Sequence, residues 1–236
     1  MEVVGAVLQW FTDPVNWQGA DGVPNRILEH IGYFIGATGL ALLIALPVGL
    51  LVGHTGKGGT LAINLSNVGR AVPSFGIIIL AFILLGIGLL PPLIALTAMA
   101  IPPIVTNTYV GVQSVDPDVR DSAEGMGLTG MQVLRDVEVP VAMPLIMAGV
   151  RTSSVQVVAT ATLAAFIGLG GLGRYIFDAL QTQDTAEVVA GAILVAILAL
   201  IVEFAMSRLQ QTIVSTGLQQ RNAEAAVDAK VAGPVG

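Results

Sequence analysis

From Ala71 to Val115 the chain carries no charged side chain. One helical crossing of a bilayer needs about 20 mainly apolar residues, so a run this long crosses twice and turns within itself. The Gly86/Gly88 pair followed by Pro91 and Pro92 supplies the turn. The first of these two passes begins nearer Leu61 and bends at Pro73. Ile27 to Gly53, uncharged after Glu29, gives an earlier span. Val141 to Gly168, interrupted by Arg151, gives a fourth, and Ala186 to Leu209, which contains Glu203, a fifth. The expected fold is therefore all-α, a polytopic transmembrane protein of five helices with its termini on opposite sides of the membrane. Charged residues make up 11% of the chain, against roughly 25% in soluble domains.

The basic residues set the orientation. Lys57, Arg70, Arg120, Arg135, Arg208, Arg221 and Lys230 fall on one side, and Arg26 and Arg174 on the other. The positive-inside rule makes the first side cytoplasmic. Residues 1–25 hold Trp10, Phe11 and Trp17 and suit an amphipathic segment on the outer surface. Their start, MEVVGAVLQWFTDP, has no basic region or cleavage site and is not read as a signal peptide. Residues 26–209 form the transmembrane domain, and residues 210–236 are expected to be a disordered cytoplasmic tail. A formal charge of −6 without a basic cluster argues against nucleic acid as a partner. The absence of cysteine rules out a disulfide framework, a thiol nucleophile and a zinc–thiolate site.

Between two apolar runs lies a polar island, Asp121 to Pro140, reading DSAEGMGLTGMQVLRDVEVP. Asp116 can N-cap a helix opening on Pro117, where the missing N–H costs nothing. Gly125 and Gly127 can end it. Thr129 with Gln132 has capping-box spacing and opens a second helix. Val119, Ala123 and Met126 share one face of the first helix, and Met131, Leu134 and Val137 one face of the second. Two short capped amphipathic helices joined at a glycine read as a docking element, and residues 116–140 as a coupling loop on the cytoplasmic side.

The order Asp121-Ser122-Ala123, then Gly127, then Val137-x-Val139-Pro140 resembles the EAA loop of ABC-importer permeases, with Asp and Ser in place of the usual Glu and first Ala. Asn107-Thr108-Tyr109-x-Gly111, the GMGLT and ATATLA segments and Gly170-Gly171-Leu172-Gly173 are similar to the osmoprotectant branch, importers of glycine betaine, choline or carnitine. The resemblance covers roughly residues 25 to 208. It implies a permease of the binding-protein-dependent type in a bacterial plasma membrane, with the five-helix core of that family. It also implies that Asp121, Ser122, Ala123, Gly127, Val137 and Pro140 couple to ATP-binding cassette ATPase subunits. A second permease copy or paralogue and a separate extracellular substrate-binding protein complete the implied assembly, so this chain is a transport subunit and not an enzyme. An ABC permease for an amino acid such as methionine is a second reading, and a stand-alone channel or secondary transporter a third. The latter leaves the capped island unexplained and calls for intramembrane acidic relays, for which only Glu203 is a candidate.

Several residues invite functional readings. Asn107 and Tyr109 near the end of the third span, and Gln156 and Thr160 four apart on the fourth, either line a wet path or join helices by hydrogen bonds. Arg151 lies about eleven residues into its span, about 16 Å along the axis. It and Glu203 are either intramembrane lining charges or snorkel to the cytoplasmic interface. Two glycine motifs mislead. Gly53 to Gly58 lacks the first glycine and the Ser/Thr of a phosphate loop, and Gly168-x-Gly170-x-x-Gly173 follows a membrane span and not a strand. His30 and His54 have no ligand spacing, so no metal site is expected. No catalytic constellation or cofactor site is expected either.

Overall fold

The computed structural model describes residues 2–214, and all regular structure among them is helical. Helix α1 (Glu2–Thr12) and a 3-10 turn (Pro14–Trp17) precede α2 (Val23–Thr55), which has Gly22 at its N-cap and a proline in its first turn. The pass expected from Leu61 is broken into α3 (Gly59–Ala71) and α4 (Ser74–Leu85). The break falls where expected: Pro73 has no N–H to give a helix, and Val72 before it is extended at φ −76°, ψ 128°. Helix α5 (Leu90–Gln113) follows. The turn before it spans residues 86–89, and Pro91 and Pro92 lie inside the first helical turn, where a proline sacrifices no hydrogen bond.

Helix α6 (Pro117–Gly125) comes next, and the island departs from expectation after it. The second island helix is not separate. The four residues of α7 (Gly130–Val133) pass through a π-helical turn (Leu134–Glu138) straight into α8 (Val139–Ala161). Pro140 cannot make its ladder bond, and one wide turn absorbs the defect without breaking the helix. A 3-10 turn (Thr162–Ile167) ends the span, α9 (Gly173–Thr182) lies beyond it, and α10 (Thr185–Ile213) returns. Residues 210–213, expected to begin the tail, form the last turn of α10; residues 215–236 lie outside the described residues.

Helices α2, α5 and α10 are long and apolar enough to cross a membrane. Helix α8, with 23 residues, has a comparable length of about 34 Å but a more polar sequence. Helix α5 is the centre, packed between α2 and α8 and carrying buried residues all the way from Pro91 to Val112. Ala37, Ala41 and Ala45 meet Leu96, Ala100 and Ile104 on one side, while Val157 and Ala161 close the same cluster. Glycine makes the closest approaches possible. A methyl group on Gly49 would stand 2.7 Å from the Thr108 Cβ, and one on Gly149 2.7 Å from the Asn107 Cβ. Packing of this kind, by contact and not by hydrophobic exclusion, holds helices together in lipid.

At the end of the bundle opposite the island, α1 packs on α10, and Trp10 meets Tyr175 edge to face at 5.3 Å. The Tyr175 hydroxyl donates to the Asp21 carbonyl at 2.6 Å. Burial pushes this phenol up to about 12, so it remains a donor.

Candidate functional site

The island is built by local capping. Asp116 Oδ1 accepts from the Asp118 N–H at 3.0 Å and opens α6. At the other end the Gly127 N–H donates to Glu124 O at 2.9 Å and the Leu128 N–H to Ala123 O at 3.2 Å. These two bonds define a Schellman motif, with Gly127 at φ +90° in the position that strongly favours glycine. The Thr129 N–H then donates to Gln132 Oε1 at 2.8 Å and starts α7. Of the residues in the EAA-like pattern, Asp121, Ser122 and Pro140 are exposed, Ala123 is buried and Val137 is half-buried. The expected apolar faces close only in part on the rest of the chain: Ala123 turns inward, and the others stay at least partly open. Val119, Met126 and Met131 are 46%, 76% and 72% exposed, so the island presents a soft apolar surface outward.

Under the island sits a carboxylate that the sequence reading passed over. Glu138, only 1% exposed, closes the π-helical turn. Its Oε2 lies 2.7 Å from His54 Nδ1 at the end of α2, and its Oε1 3.0 Å from Arg120 Nε on α6. The Arg120 contact is an ion pair without hydrogen-bond alignment, and that Nε–H has no other partner among the described residues. Arg120 Nη2 also donates to Val112 O at the end of α5, and Gln113 Nε2 donates to Gly53 O at 2.5 Å. The island is thus tied to the ends of α2 and α5 through the buried Glu138 carboxylate and the Arg120 side chain. Glu138 sits between two apolar members of the sequence pattern, which is why it drew no notice.

The exposed faces of the long helices differ. Helix α2 shows Leu28, Ile35, Leu43 and Leu51; α4 shows Leu80, Ile83 and Leu84; α10 shows Ile197, Leu200, Ile201 and Phe204. These suit lipid. No large apolar side chain of α8 is exposed. Its open face carries Thr152, Gln156, Ala159 and Thr160, whereas Val157 and Ala161 on the other face are each 1% exposed. Gln156 and Thr160 therefore share a half-open face, as their spacing requires. Asn107 is half-buried with its amide folded onto its own helix, donating to Pro103 O at 2.8 Å. Tyr109 instead reaches Gly59 at the start of α3.

Arg151 and Glu203, 52 positions apart, are partners: Arg151 Nε donates to Glu203 Oε1 at 2.6 Å. Arg151 is twelve residues beyond Val139, about 18 Å up the axis of α8 and close to its middle. The pair borders a groove between α8 and α10.

At the end opposite the island, the Gly168–Gly173 loop is a turn and not a nucleotide cradle. Its Gly171 N–H donates to Glu29 Oε2 at 2.7 Å, and the Leu172 N–H to His30 Nδ1 at 3.3 Å. That bond leaves Nε2 of the fully buried His30 to donate to Val158 O at 2.9 Å. Among the described residues no cluster of His, Cys, Asp or Glu could hold a metal ion.

Comparison with known proteins bears on this architecture. The profile of the family described as "Binding-protein-dependent transport system inner membrane component" matches residues 45–215. The glycine betaine/carnitine/choline transport system permease protein of Bacillus subtilis is 37% identical over 191 residues, covering 81% of this chain and 88% of that one. The choline transport system permease protein of the same organism is 36% identical over 195 residues, 83% of this chain and 90% of that one. Among solved structures, an inward-facing methionine ABC transporter superposes with a TM-score of 0.75 at 20% identity, covering 86% of this chain and 100% of the other. At that identity the likeness speaks for the fold alone.

Proposed function

This chain belongs to the binding-protein-dependent transport system inner membrane components, and we propose that it forms half of an ATP-driven import path for a small compatible solute of the glycine betaine, choline or carnitine type. The observation that carries the reading is the contrast between α8 and its neighbours. A spanning helix whose open face is Thr152, Gln156, Ala159 and Thr160 fits water or solute, while the leucine- and isoleucine-covered faces of α2, α4 and α10 fit lipid. The cargo follows from the relatives, which are named for these solutes.

In this account the island lies on the cytoplasmic side, as the clustering of Lys57, Arg120, Arg135 and Arg208 at that end supports. Separate ATPase subunits hydrolyse ATP and close on Val119, Met126 and Met131, and the movement passes through Gly127 and the Glu138 contacts to α2, α5 and α8. A second permease, a copy or a paralogue, faces the open side of α8, and a separate external binding protein delivers the solute. With aromatic residues at 5% of the chain, tight recognition of a quaternary ammonium belongs to that binding protein, where stacked rings can enclose the cation. Affinity purification tests the assembly: this chain should carry an ATPase and a second permease with it. Recovery from gentle detergent without any ATPase would count against the coupling role.

A further inference from the structure

Resting on that reading, we infer that Arg151 and Glu203 form a transient subsite for a zwitterion within the path, in which the guanidinium takes the solute carboxylate and the Glu203 carboxylate faces its cationic end. An ionised side chain in the middle of a spanning helix is costly, by about 2.5–3.5 kcal/mol on insertion scales, and two are placed here together. A pair serving only to pin α8 to α10 would be withdrawn between them. Instead the side chains keep 39% and 34% of their surface, and both line an open groove of about 380 Å³ with Ala148, Thr152, Val155 and Gln210. That volume falls in the range of small-molecule sites.

The bonding leaves capacity on both partners. Both contacts fall on Glu203 Oε1, and Oε2 has no partner among the described residues. Arg151 uses Nε and Nη2, so the remaining guanidinium donors can engage a second carboxylate in the fork geometry that arginine offers and lysine does not. A molecule bearing one carboxylate and one cation can therefore insert with both of its charges compensated. A purely cationic solute engages Glu203 alone and gains nothing from Arg151. The groove adjoins the Thr152/Gln156 face, so a solute leaving it stays on the polar side of α8.

The test uses the complete transporter and the absence of cysteine from this chain. Thr152→Cys places an exposed thiol beside the pair, with Val155→Cys as a second reporter should the first not assemble. Glycine betaine, at a concentration that saturates uptake by the same preparation, should slow labelling by a water-soluble thiol reagent at least tenfold. Equimolar choline should slow it far less. In an Arg151→Gln background the thiol should still label, and protection by glycine betaine should vanish. Undiminished labelling by both reporters in a preparation that does import glycine betaine overturns the subsite and leaves the import reading intact. Protection that survives Arg151→Gln, or that choline gives equally, also overturns it. A well-assembled preparation that imports none of the three solutes removes the import reading itself, and the subsite with it.

Discussion

Replacing Gly127 separates a conformational requirement from a steric one. At φ +90° this residue lies where an L side chain is strained, yet a methyl group added to it meets nothing within 4 Å. Any penalty within this chain therefore comes from the backbone. Left-handed geometry costs a residue with a Cβ about 1–2 kcal/mol. One to two kcal/mol corresponds to a factor of about 5–30 in the population of the ordered turn. Gly127→Ala should accordingly lower ATP-driven uptake by up to that factor if docking requires the turn as built. Gly127→Val, β-branched, should lower it further, while Gly127→Asn, which tolerates positive φ, should stay near the parent. The two Schellman bonds, from Gly127 and Leu128, would be lost with the turn, but the spans would still insert. The assay measures membrane abundance, ATPase co-purification and solute uptake on each preparation. Normal uptake by the valine variant at normal abundance would refute the elbow. An asparagine variant as impaired as valine would show that the bare Cα is needed for contact with another chain, contradicting the conformational argument.

Other consequences follow from the same geometry. Single cysteines at positions 156 and 160 should react with water-soluble thiol reagents faster than those at 157 and 161, since Val157 and Ala161 are buried; equal reaction would return Gln156 and Thr160 to helix packing. Glu138→Ala leaves Arg120 and His54 without their shared carboxylate and should cost about 3 kcal/mol, the low end for a broken buried pair because both partners keep about a quarter of their surface. A lowered thermal midpoint in detergent, with ATPase activity that no longer drives uptake, would show it. Gly149→Ala forces a methyl group to within 2.7 Å of the Asn107 Cβ and 2.9 Å of Pro103 O, and should destabilise by about 1–3 kcal/mol, read as reduced abundance and a lower midpoint.

What was legible in the sequence was local. The Asp116 cap, the Thr129–Gln132 pair, the bend at Pro73 and the turn at Gly127 each depend on residues within a few positions, and each formed where their chemistry directed. The continuity of α7 with α8 is hidden because polar island and apolar span meet at Pro140, whereas a π-helical turn carries the helix through it. The long-range content was hidden. Arg151 and Glu203 stand out as charges in apolar sequence, but nothing in either segment says that they meet. Glu138 reads as one more polar residue of the island, and only the return of α2 to bring His54 beside it reveals a buried clasp. Gly49 and Gly149 look like weak points in helices until α5 is placed between them.

Solute uptake tests the central claim most directly. Cells carrying this chain with the proposed ATPase and binding protein, and the same cells lacking only this chain, would be given radiolabelled glycine betaine, choline and carnitine at low and raised external osmolarity. Uptake of at least one of the three should depend on this chain, rise with osmolarity and stop when ATP is depleted. Uptake of all three that is unchanged by deleting the chain would contradict the account.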